Sequence, residues 1–268
     1  MISTPKTKIV RFSASLFILL LFTNIALADK TWVVSNQAMK AWFQALGFQK
    51  VVAILPPGSD PHHYQLTAKD LVRWQNLERI YVQSYYLEKH FIENIKKQWP
   101  KIKVVDVSER LFVASQAHYL ANLGILQRLS EEIARQEKKD ISAFLKKLNH
   151  WKGKHLPKLA GKKIAVFHSS MDSFAADKDI EILLRVEKQH GVFPGIQHLM
   201  SVKDRIDKEN VKCLLVDQHT SEQQLNKFLQ VVGKVKVHRY YGDIDGKKFN
   251  NLWDWLDHLS QSVLQCSI

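Results

Sequence analysis

The sequence is organised around residues 51–64, which read VVAILPPGSDPHHY. The apolar run at 51–55 predicts a buried strand, and the proline-rich stretch after it predicts a stiff loop that carries His62 and His63. In open α/β sheets the carboxyl ends of the strands face the ligand crevice, so histidines at this point are candidates for binding a ligand. Residues 51–64 alone leave a second interpretation open, in which the loop is a turn and its histidines are merely solvated.

Short β-type runs alternate with helical patterns on both sides of this stretch. Four predicted strands separated by helices lie between residues 31 and 107, and the alternation resumes at residue 163. Residues 67–70 read TAKD, which resembles a capping box that opens a helix. Such alternation is typical of an α/β fold, and we predict two lobes with parallel-type sheets flanked by helices.

The pattern changes between residues 118 and 157. Two long amphipathic stretches follow one another here with no β-type run between them. A long helix in this region would be a stiff connection, so we predict that it joins the two lobes rigidly. The predicted boundaries are an N-terminal lobe at 29–137, a linking helix at 138–160 and a C-terminal lobe at 161–268.

Residues 1–28 carry the features of an export signal. Lys6, Lys8 and Arg11 form a basic start, residues 12–22 are apolar but too short to span a membrane, and residues 26–28 read ALA, a cleavage signal. We predict a cleaved signal peptide, a mature chain that begins at Asp29, and a periplasmic location. No later stretch is long and apolar enough to predict insertion into a membrane.

The chain is basic, with a formal net charge of +13. Without the predicted signal the charge falls to about +10. The lysines are scattered over many predicted helices and form no arginine-rich block, which argues against nucleic acid as a partner. We interpret the charge as a solvated basic surface, with some affinity for anionic polymers left open.

The chain has 12 histidines, and their predicted positions divide them into two groups. Histidines inside predicted helices or strands are expected to be surface or packing residues: His90, His150, His155, His198, His238 and His258. Histidines near strand ends or in the loops beyond them can converge on a ligand: His62, His63, His118, His168, His190 and His219. Three imidazoles from separate loops suit a borderline ion such as zinc.

A carboxylate or a water molecule would complete four-coordination of such an ion. The carboxylate candidates are Asp243, Glu187 and Asp217. Asp60 is a candidate hydrogen-bond partner for a ligating imidazole, with a simple turn residue as the alternative. Tyr64 and Tyr119 each follow a candidate histidine closely and are expected either to wall the site or to pack in the core.

Catalytic motifs are absent from the sequence, which contains no G-x-S-x-G, H-E-x-x-H or P-loop pattern. The two cysteines are Cys213, in a predicted strand, and Cys266, at the end of the last predicted helix. Since an exported protein meets an oxidising compartment, a disulfide between them is plausible, and a buried thiol with a second thiol at a frayed end is the alternative. These features favour a binding protein over an enzyme.

Four segments resemble, in order, those of the metal-binding solute-binding proteins of ABC transporters, the ZnuA/TroA-like group (cluster A-I). They are residues 56–64 with TAKD at 67–70, residues 117–120 (AHYL), residues 166–174 (VFHSSMDSF), and residues 186–194 (VEKQHGVFP) followed by HL at 198–199. The resemblance covers most of the mature chain. It departs from the family at residues 116–117 and 121–122, where QA and AN stand in place of Asn-Pro and Asp-Pro.

The resemblance implies a metal site with particular ligands. It makes His62, His118 and His168 metal ligands and leaves His63 beside the site. YGD at 241–243 is similar to a tyrosine-x-aspartate of that family, which implies Asp243 as the fourth ligand ahead of Glu187. Three histidines are typical of the zinc members, so zinc is implied in preference to manganese, and the placement of the two cysteines resembles a disulfide found in some zinc-binding members.

We therefore expect a monomeric periplasmic solute-binding protein that captures zinc between its lobes and delivers it to the membrane permease of an ABC importer. The competing hypotheses are a solute-binding-like protein with a degenerate metal site that serves a non-metal ligand or an accessory adhesion role, and a metal-dependent hydrolase that uses the same histidines.

Overall fold

The computed structural model describes residues 30–60, 64–111, 118–187 and 192–268. Two four-stranded sheets, each wholly parallel, are flanked by helices, which confirms the predicted α/β class. We call the sheet of β1–β4 with its helices the first lobe and the sheet of β5–β8 with its helices the second lobe.

The first lobe contains β1 (Trp32–Val34), α1 (Gln37–Ala45), β2 (Val51–Ala53), α2 (Ala68–Arg73), β3 (Arg79–Val82), α3 (Tyr85–Gln98) and β4 (Lys103–Asp106). Two helices follow, α4 (Leu123–Gln136) and α5 (Ser142–Leu159). The second lobe contains β5 (Lys163–Val166), α6 (Asp172–Ala175), β6 (Glu181–Arg185), α7 (Ile196–Lys208), β7 (Cys213–Asp217), α8 (Glu222–Val232), β8 (Lys236–Tyr240) and α9 (Leu252–Cys266).

The two sheets have the same topology. The strand order is β2-β1-β3-β4 in the first and β6-β5-β7-β8 in the second. In each sheet the order therefore reverses once, between β1 and β3 and between β5 and β7, and ligands of open parallel sheets bind beyond the carboxyl ends of the strands at such a point. Residues that directly follow these four strands are the first candidates for a site.

Capping residues explain where several helices begin. Thr67 and Asp70 form the predicted capping box of α2, with each side chain hydrogen-bonded to the other residue's backbone N–H. Helix α3 begins at Tyr85 because Ser84 caps it. Helix α4 begins at Leu123, since Tyr119–Ala121 forms a 3₁₀ turn and Asn122 caps the helix.

One apolar core runs through both lobes. It includes Trp42 of α1, Leu148 of α5, Val166 of β5 and Leu256 of α9, all fully buried. Helix α9, from the second lobe, packs against both α5 and α1. Residues 31–268 accordingly form one compact unit, and the predicted boundaries at 137/138 and 160/161 remain a prediction.

Two smaller clusters cover the outer faces of the sheets. Ala165 and Val166 of β5 belong to different clusters because consecutive strand residues point to opposite faces. Both faces of each sheet are thus buried, as parallel sheets require. In the part of the chain that the structure describes, no helix is both long and apolar enough to cross a membrane.

A disulfide joins Cys213 of β7 to Cys266 at the end of α9. This confirms the predicted pairing and excludes the alternative of two thiols. The bond ties the last helix to a strand of the second sheet that is hydrogen-bonded on both edges, and both cysteines are buried.

Replacing both cysteines (Cys213→Ala with Cys266→Ala) should lower the free energy of unfolding by about 4 kcal/mol, because the bond closes a long loop. The two residues are separated by 53 positions. Urea denaturation of the two proteins measures the difference. Reductant should destabilise the wild type and leave the double variant unchanged, and a reductant effect on the double variant would contradict this assignment.

Candidate metal centre

His168 follows β5, one of the two strands that flank the order reversal of the second sheet. It is only 7% exposed. Its Nδ1 accepts a hydrogen bond from the N–H of Ser170, 2.9 Å away, and so caps a short 3₁₀ turn. With Nδ1 accepting this hydrogen bond, neutral His168 carries its proton on Nε2. Nε2 lies 3.9 Å from the Glu187 carboxylate.

His118 lies at the start of the 3₁₀ turn before α4 and is 8% exposed. Its Nδ1 is 2.9 Å from Oδ2 of Asp243, which lies in the loop between β8 and α9. Burial lowers the pKa of His118, but Asp243 and, more weakly, Asp217 and Asp172 raise it, and the net result is a pKa above the ordinary value. A proton and a cation would compete for this imidazole.

The two histidines meet each other in the interior. The ring centroids of His118 and His168 are 5.7 Å apart and the rings are nearly perpendicular. Each ring also has a carboxylate beside it, Asp243 for His118 and Glu187 for His168. The arrangement brings together two imidazoles and two acids from four separate segments.

Asp217 ends β7, the other strand at the order reversal. Its Oδ1 accepts the N–H of His219 and its Oδ2 accepts the hydroxyl of Ser170. Because Ser170 has one proton and gives it to Asp217, the Tyr240 hydroxyl, 2.5 Å away, donates to Ser170. Both carboxyl oxygens of Asp217 are therefore engaged, and Asp217 suits a supporting role better than that of a ligand.

Gly242 passes directly over this network. A Cβ at position 242 would overlap Oδ2 of Asp217 and lie 2.7 Å from Oγ of Ser170. Only glycine lets the backbone approach a buried carboxylate so closely. The next residue is Asp243, so the absence of a side chain at 242 sets where that carboxylate lies.

Lys178 ties the segment of His118 to the second lobe. Its Nζ is buried and donates to the carbonyl of Ala121, 3.0 Å away, and to Asp177. Asp177 in turn accepts the N–H of Gly124 at the start of α4. Burial lowers the pKa of Lys178 to about 8, against the opposite effect of Asp177.

A network of buried polar residues lies beyond the ends of β1 and β3, and it is not among the predicted sites. Asn36 follows β1 closely and Gln83 follows β3, and their side chains are hydrogen-bonded at 3.0 Å. Buried Glu88 accepts from the Asn36 amide and from the N–H of Gln83, both at 2.7 Å. Tyr119, next to His118, donates to the Gln83 carbonyl. The only available signal was that polar residues follow β1 and β3.

The loop that leads towards His62 contacts the loop of Asp243. The N–H of Gly58 donates to the carbonyl of Asp245 at 2.6 Å. Beside this contact is a cavity of about 20 Å³, room for roughly one water molecule. Its lining includes Ser59, His219 and Asp243.

No family model matches the sequence, and no curated protein matches it. Solved structures do. A crystal structure of ZnuA matches with a TM-score of 0.69 at 17% identity, covering 89% of this chain and 100% of that one. FpvC from P. aeruginosa in complex with Ni²⁺ gives 0.67 at 18%, covering 88% and 98%. The periplasmic zinc-binding protein TroA from Treponema pallidum gives 0.66 at 14%, covering 89% and 99%.

The chain has the ZnuA/TroA-like solute-binding protein fold. The resemblance inferred from the four sequence segments is thereby confirmed at the level of the fold. The description of FpvC names nickel and that of TroA names zinc, so the likeness does not distinguish a zinc type.

Within this ZnuA/TroA-like fold, some of the predicted site residues contact one another and others lie outside the described residues. His118 contacts Asp243, His168 lies near Glu187 and the two histidine rings are 5.7 Å apart, while His62, His63 and His190 lie outside the described residues. Among the described residues, no group of three or more histidine, cysteine or acidic side chains forms a metal-holding cluster. The hydroxyl of Tyr64 donates to Asp70 and so stabilises the start of α2. Buried Tyr119, which donates to the Gln83 carbonyl, holds the 3₁₀ turn that follows His118.

Gly242→Ala should displace the 241–243 loop and lower the free energy of unfolding by about 1–3 kcal/mol, because a methyl group cannot fit against Asp217. Urea denaturation measures the change. Gly153, in α5, has open space around its Cα, so Gly153→Ala is the matched control and should stabilise the helix by up to about 1 kcal/mol. Equal effects of the two changes would refute the close approach at Gly242.

The pKa of Glu88 makes stability depend on pH. Burial, the largest influence, raises its pKa from 4.5 to about 7, although hydrogen bonds from Gln83 and Asn36 favour the ionised form. Because the pKa of Glu88 is higher in the folded protein than in the unfolded one, protonation of Glu88 favours the folded state. This stabilisation is fully present below about pH 4.5 and is lost as the pH rises through about 7, a loss of roughly 3 kcal/mol.

Glu88→Gln should remove this part of the pH dependence. The measurement is the free energy of unfolding across that pH range for wild type, Glu88→Gln and Glu78→Gln, the last at an exposed glutamate of the same lobe. The Glu78 variant should parallel the wild type. A Glu88 variant that also parallels it would show that Glu88 stays ionised.

Proposed function

We propose that this protein captures a divalent transition metal, zinc in the first place, between its two lobes and delivers it to the membrane permease of an ABC importer. His62, His118, His168 and Asp243 are the proposed ligands. The proposal makes the chain a binding protein and not an enzyme, and its metal is cargo.

The observation that carries the proposal is the meeting of His118 and His168. Two buried imidazoles 5.7 Å apart, each beside a carboxylate, are costly to bury for packing alone. A cation placed among them would neutralise the acids and bind the imidazole nitrogens that face them in place of protons. The ZnuA/TroA-like fold supports this interpretation, since TroA is described as a periplasmic zinc-binding protein.

Support for His62 comes from the sequence and from its neighbours. It directly follows Asp-Pro in the segment that resembles the family's first-ligand loop. The preceding residues reach the loop of Asp243, where Gly58 donates to Asp245 and Ser59 lines a cavity with Asp243. A third imidazole arriving from this side would complete a donor set of three nitrogens and one oxygen, which suits zinc better than manganese.

Asp243 and Glu187 compete for the fourth position. Asp243 contacts His118 at 2.9 Å, whereas Glu187 is 3.9 Å from His168. Glu187 is also the more buried of the two, at 4% exposure. We propose Asp243 as the ligand and Glu187 as a nearby acid on the side of His168 Nε2, whose charge favours a cation there.

Export to an oxidising compartment is the proposed location. Residues 1–28 have the features of a cleaved signal peptide. The Cys213–Cys266 disulfide supports the proposal independently, because structural disulfides are rare in the cytosol. A periplasmic protein that begins at Asp29 and acts as a monomer is the expected mature form.

Metal-free protein that begins at Asp29 should bind one Zn²⁺ in titration calorimetry and show a raised melting temperature. His62→Ala, His168→Ala and Asp243→Asn should each weaken zinc binding by about 100-fold or more, because each removes a ligand. Titrations with Mn²⁺ and Ni²⁺ determine the preference among ions. Glu187→Gln separates the two acids, since loss of an acid that only supports the ligands should cost about 10–100-fold.

The matched control is His150→Ala, at an exposed histidine of α5, which should bind zinc like the wild type. Absence of stoichiometric metal binding and of any thermal shift in the wild type would overturn the proposal. It would favour a degenerate site that serves a non-metal ligand or an adhesion role.

A further inference from the structure

Helix α9 contacts the loop of Asp243 through two hydrogen bonds to one residue. The indole N–H of Trp255 donates to the carbonyl of Tyr241 at 2.9 Å. The N–H of Tyr241 donates to Nε2 of His258 at 3.1 Å. Both polar backbone atoms of Tyr241 are thus held by side chains one turn apart on the same helix.

Ring packing reinforces these bonds. The Tyr241 ring lies edge-on to Phe249 and to His258, with centroids 5.4 and 5.8 Å apart. Phe249 and His258 also contact each other, at 4.8 Å. The orientation of the Tyr241 peptide is therefore fixed by hydrogen bonds and by the packing of its own side chain.

Tyr241 is two residues before Asp243, and the chain between them has little freedom. Gly242 lies against Asp217, and beyond Asp243 the carbonyl of Asp245 accepts from Gly58. The Asp243 carboxylate can therefore reach His118 only while the loop keeps this course. A shift of the Tyr241 peptide would be transmitted to Asp243.

The acceptor role of His258 defines its chemical state. A backbone N–H donates to Nε2, so that nitrogen must carry a lone pair, and neutral His258 holds its proton on Nδ1. Trp255 is almost fully buried, and its indole needs an acceptor there. Neither residue is a candidate ligand, and the proposed function leaves both unused.

We infer that His258 and Trp255 are positioning residues for metal binding, which set the place of the Asp243 carboxylate through the backbone of Tyr241. The inference rests on the proposed function for its main readout, metal affinity. A merely structural role is the competing explanation. It predicts that any change in affinity follows the loss of stability.

The core of α9 does not depend on His258. Leu256, Leu259 and Val263 of the same helix are buried in the shared apolar core, and Cys266 forms the disulfide. His258 is only half-buried. Variants at 258 should therefore fold, and variants in the core of α9 provide a control for stability.

The experiment compares His258→Leu, which removes the acceptor, with His258→Gln, which keeps one. The side-chain oxygen of glutamine is as many bonds from the backbone as Nε2 and can accept from Tyr241. His258→Leu should weaken zinc binding about tenfold, as expected for the loss of one hydrogen bond at a ligand loop, and His258→Gln should restore it to within about twofold.

Trp255→Phe removes the other hydrogen bond and should also weaken binding about tenfold. Val263→Ala is the matched control, because it removes buried apolar volume from the same helix without touching the loop. It should lower the urea midpoint and leave zinc affinity within about twofold of wild type. Wild-type affinity in His258→Leu, or an equal loss of affinity in Val263→Ala, would overturn the inference.

A second readout does not need metal. Proton NMR of the metal-free protein at one pH should show a downfield Nδ1–H signal of His118, which its contact with Asp243 protects from solvent exchange. The signal should be lost in His258→Leu and present in His258→Gln. If the wild type binds no metal, the proposed function fails and this signal alone decides the inference: its persistence in His258→Leu overturns it.

Discussion

The contact between His118 and Asp243, 2.9 Å long, depends on most of the other interactions around the site, which fix the positions of these two residues. It joins the segment after β4 to the segment after β8: His118 begins a 3₁₀ turn, and Asp243 lies in a loop. Each segment is fixed by hydrogen bonds to a neighbouring part of the protein. Lys178 holds the carbonyl of Ala121 beyond His118, and α9 holds both backbone polar atoms of Tyr241 ahead of Asp243. The two segments thus acquire a fixed separation from helices that are themselves anchored in one core.

Burying so many polar groups is tolerable only because they satisfy one another. Asp217 lies under the second sheet's strand ends and accepts from Ser170 and from the His219 backbone. In the first lobe Glu88, from helix α3, accepts from Asn36 and Gln83. In both lobes a buried acid therefore fixes the residues that directly follow the two central strands. The repeated strand order puts the order reversal, where polar groups gather beyond the strand ends, at the same pair of strands in each sheet.

Local signals in the sequence predicted much of this arrangement. The capping box of Thr67, the strands and the Cys213–Cys266 pair follow from short-range pattern and composition, and the structure confirms them. His118 and His168 were candidates because they lie at or beyond strand ends, and they do converge. Glu88 and Lys178 could not be found this way. Each lies within or beside a helix and gains its partners only when distant segments fold together, so no spacing along the chain identifies them.

The shared core constrains how an ion could enter and leave. Domain closure about a hinge requires an interface that can separate, but here α9 of the second lobe packs against α5 and α1, and the apolar core is continuous through both lobes. Opening the lobes widely would expose that core and break the buried hydrogen bond from Lys178 to the Ala121 carbonyl. Movement confined to the loops costs less, because it breaks single hydrogen bonds such as Gly58 to Asp245 or Tyr241 to His258. Exchange of a bound ion should therefore proceed through the loops at the strand ends, with the two sheets and the helices between them staying in place.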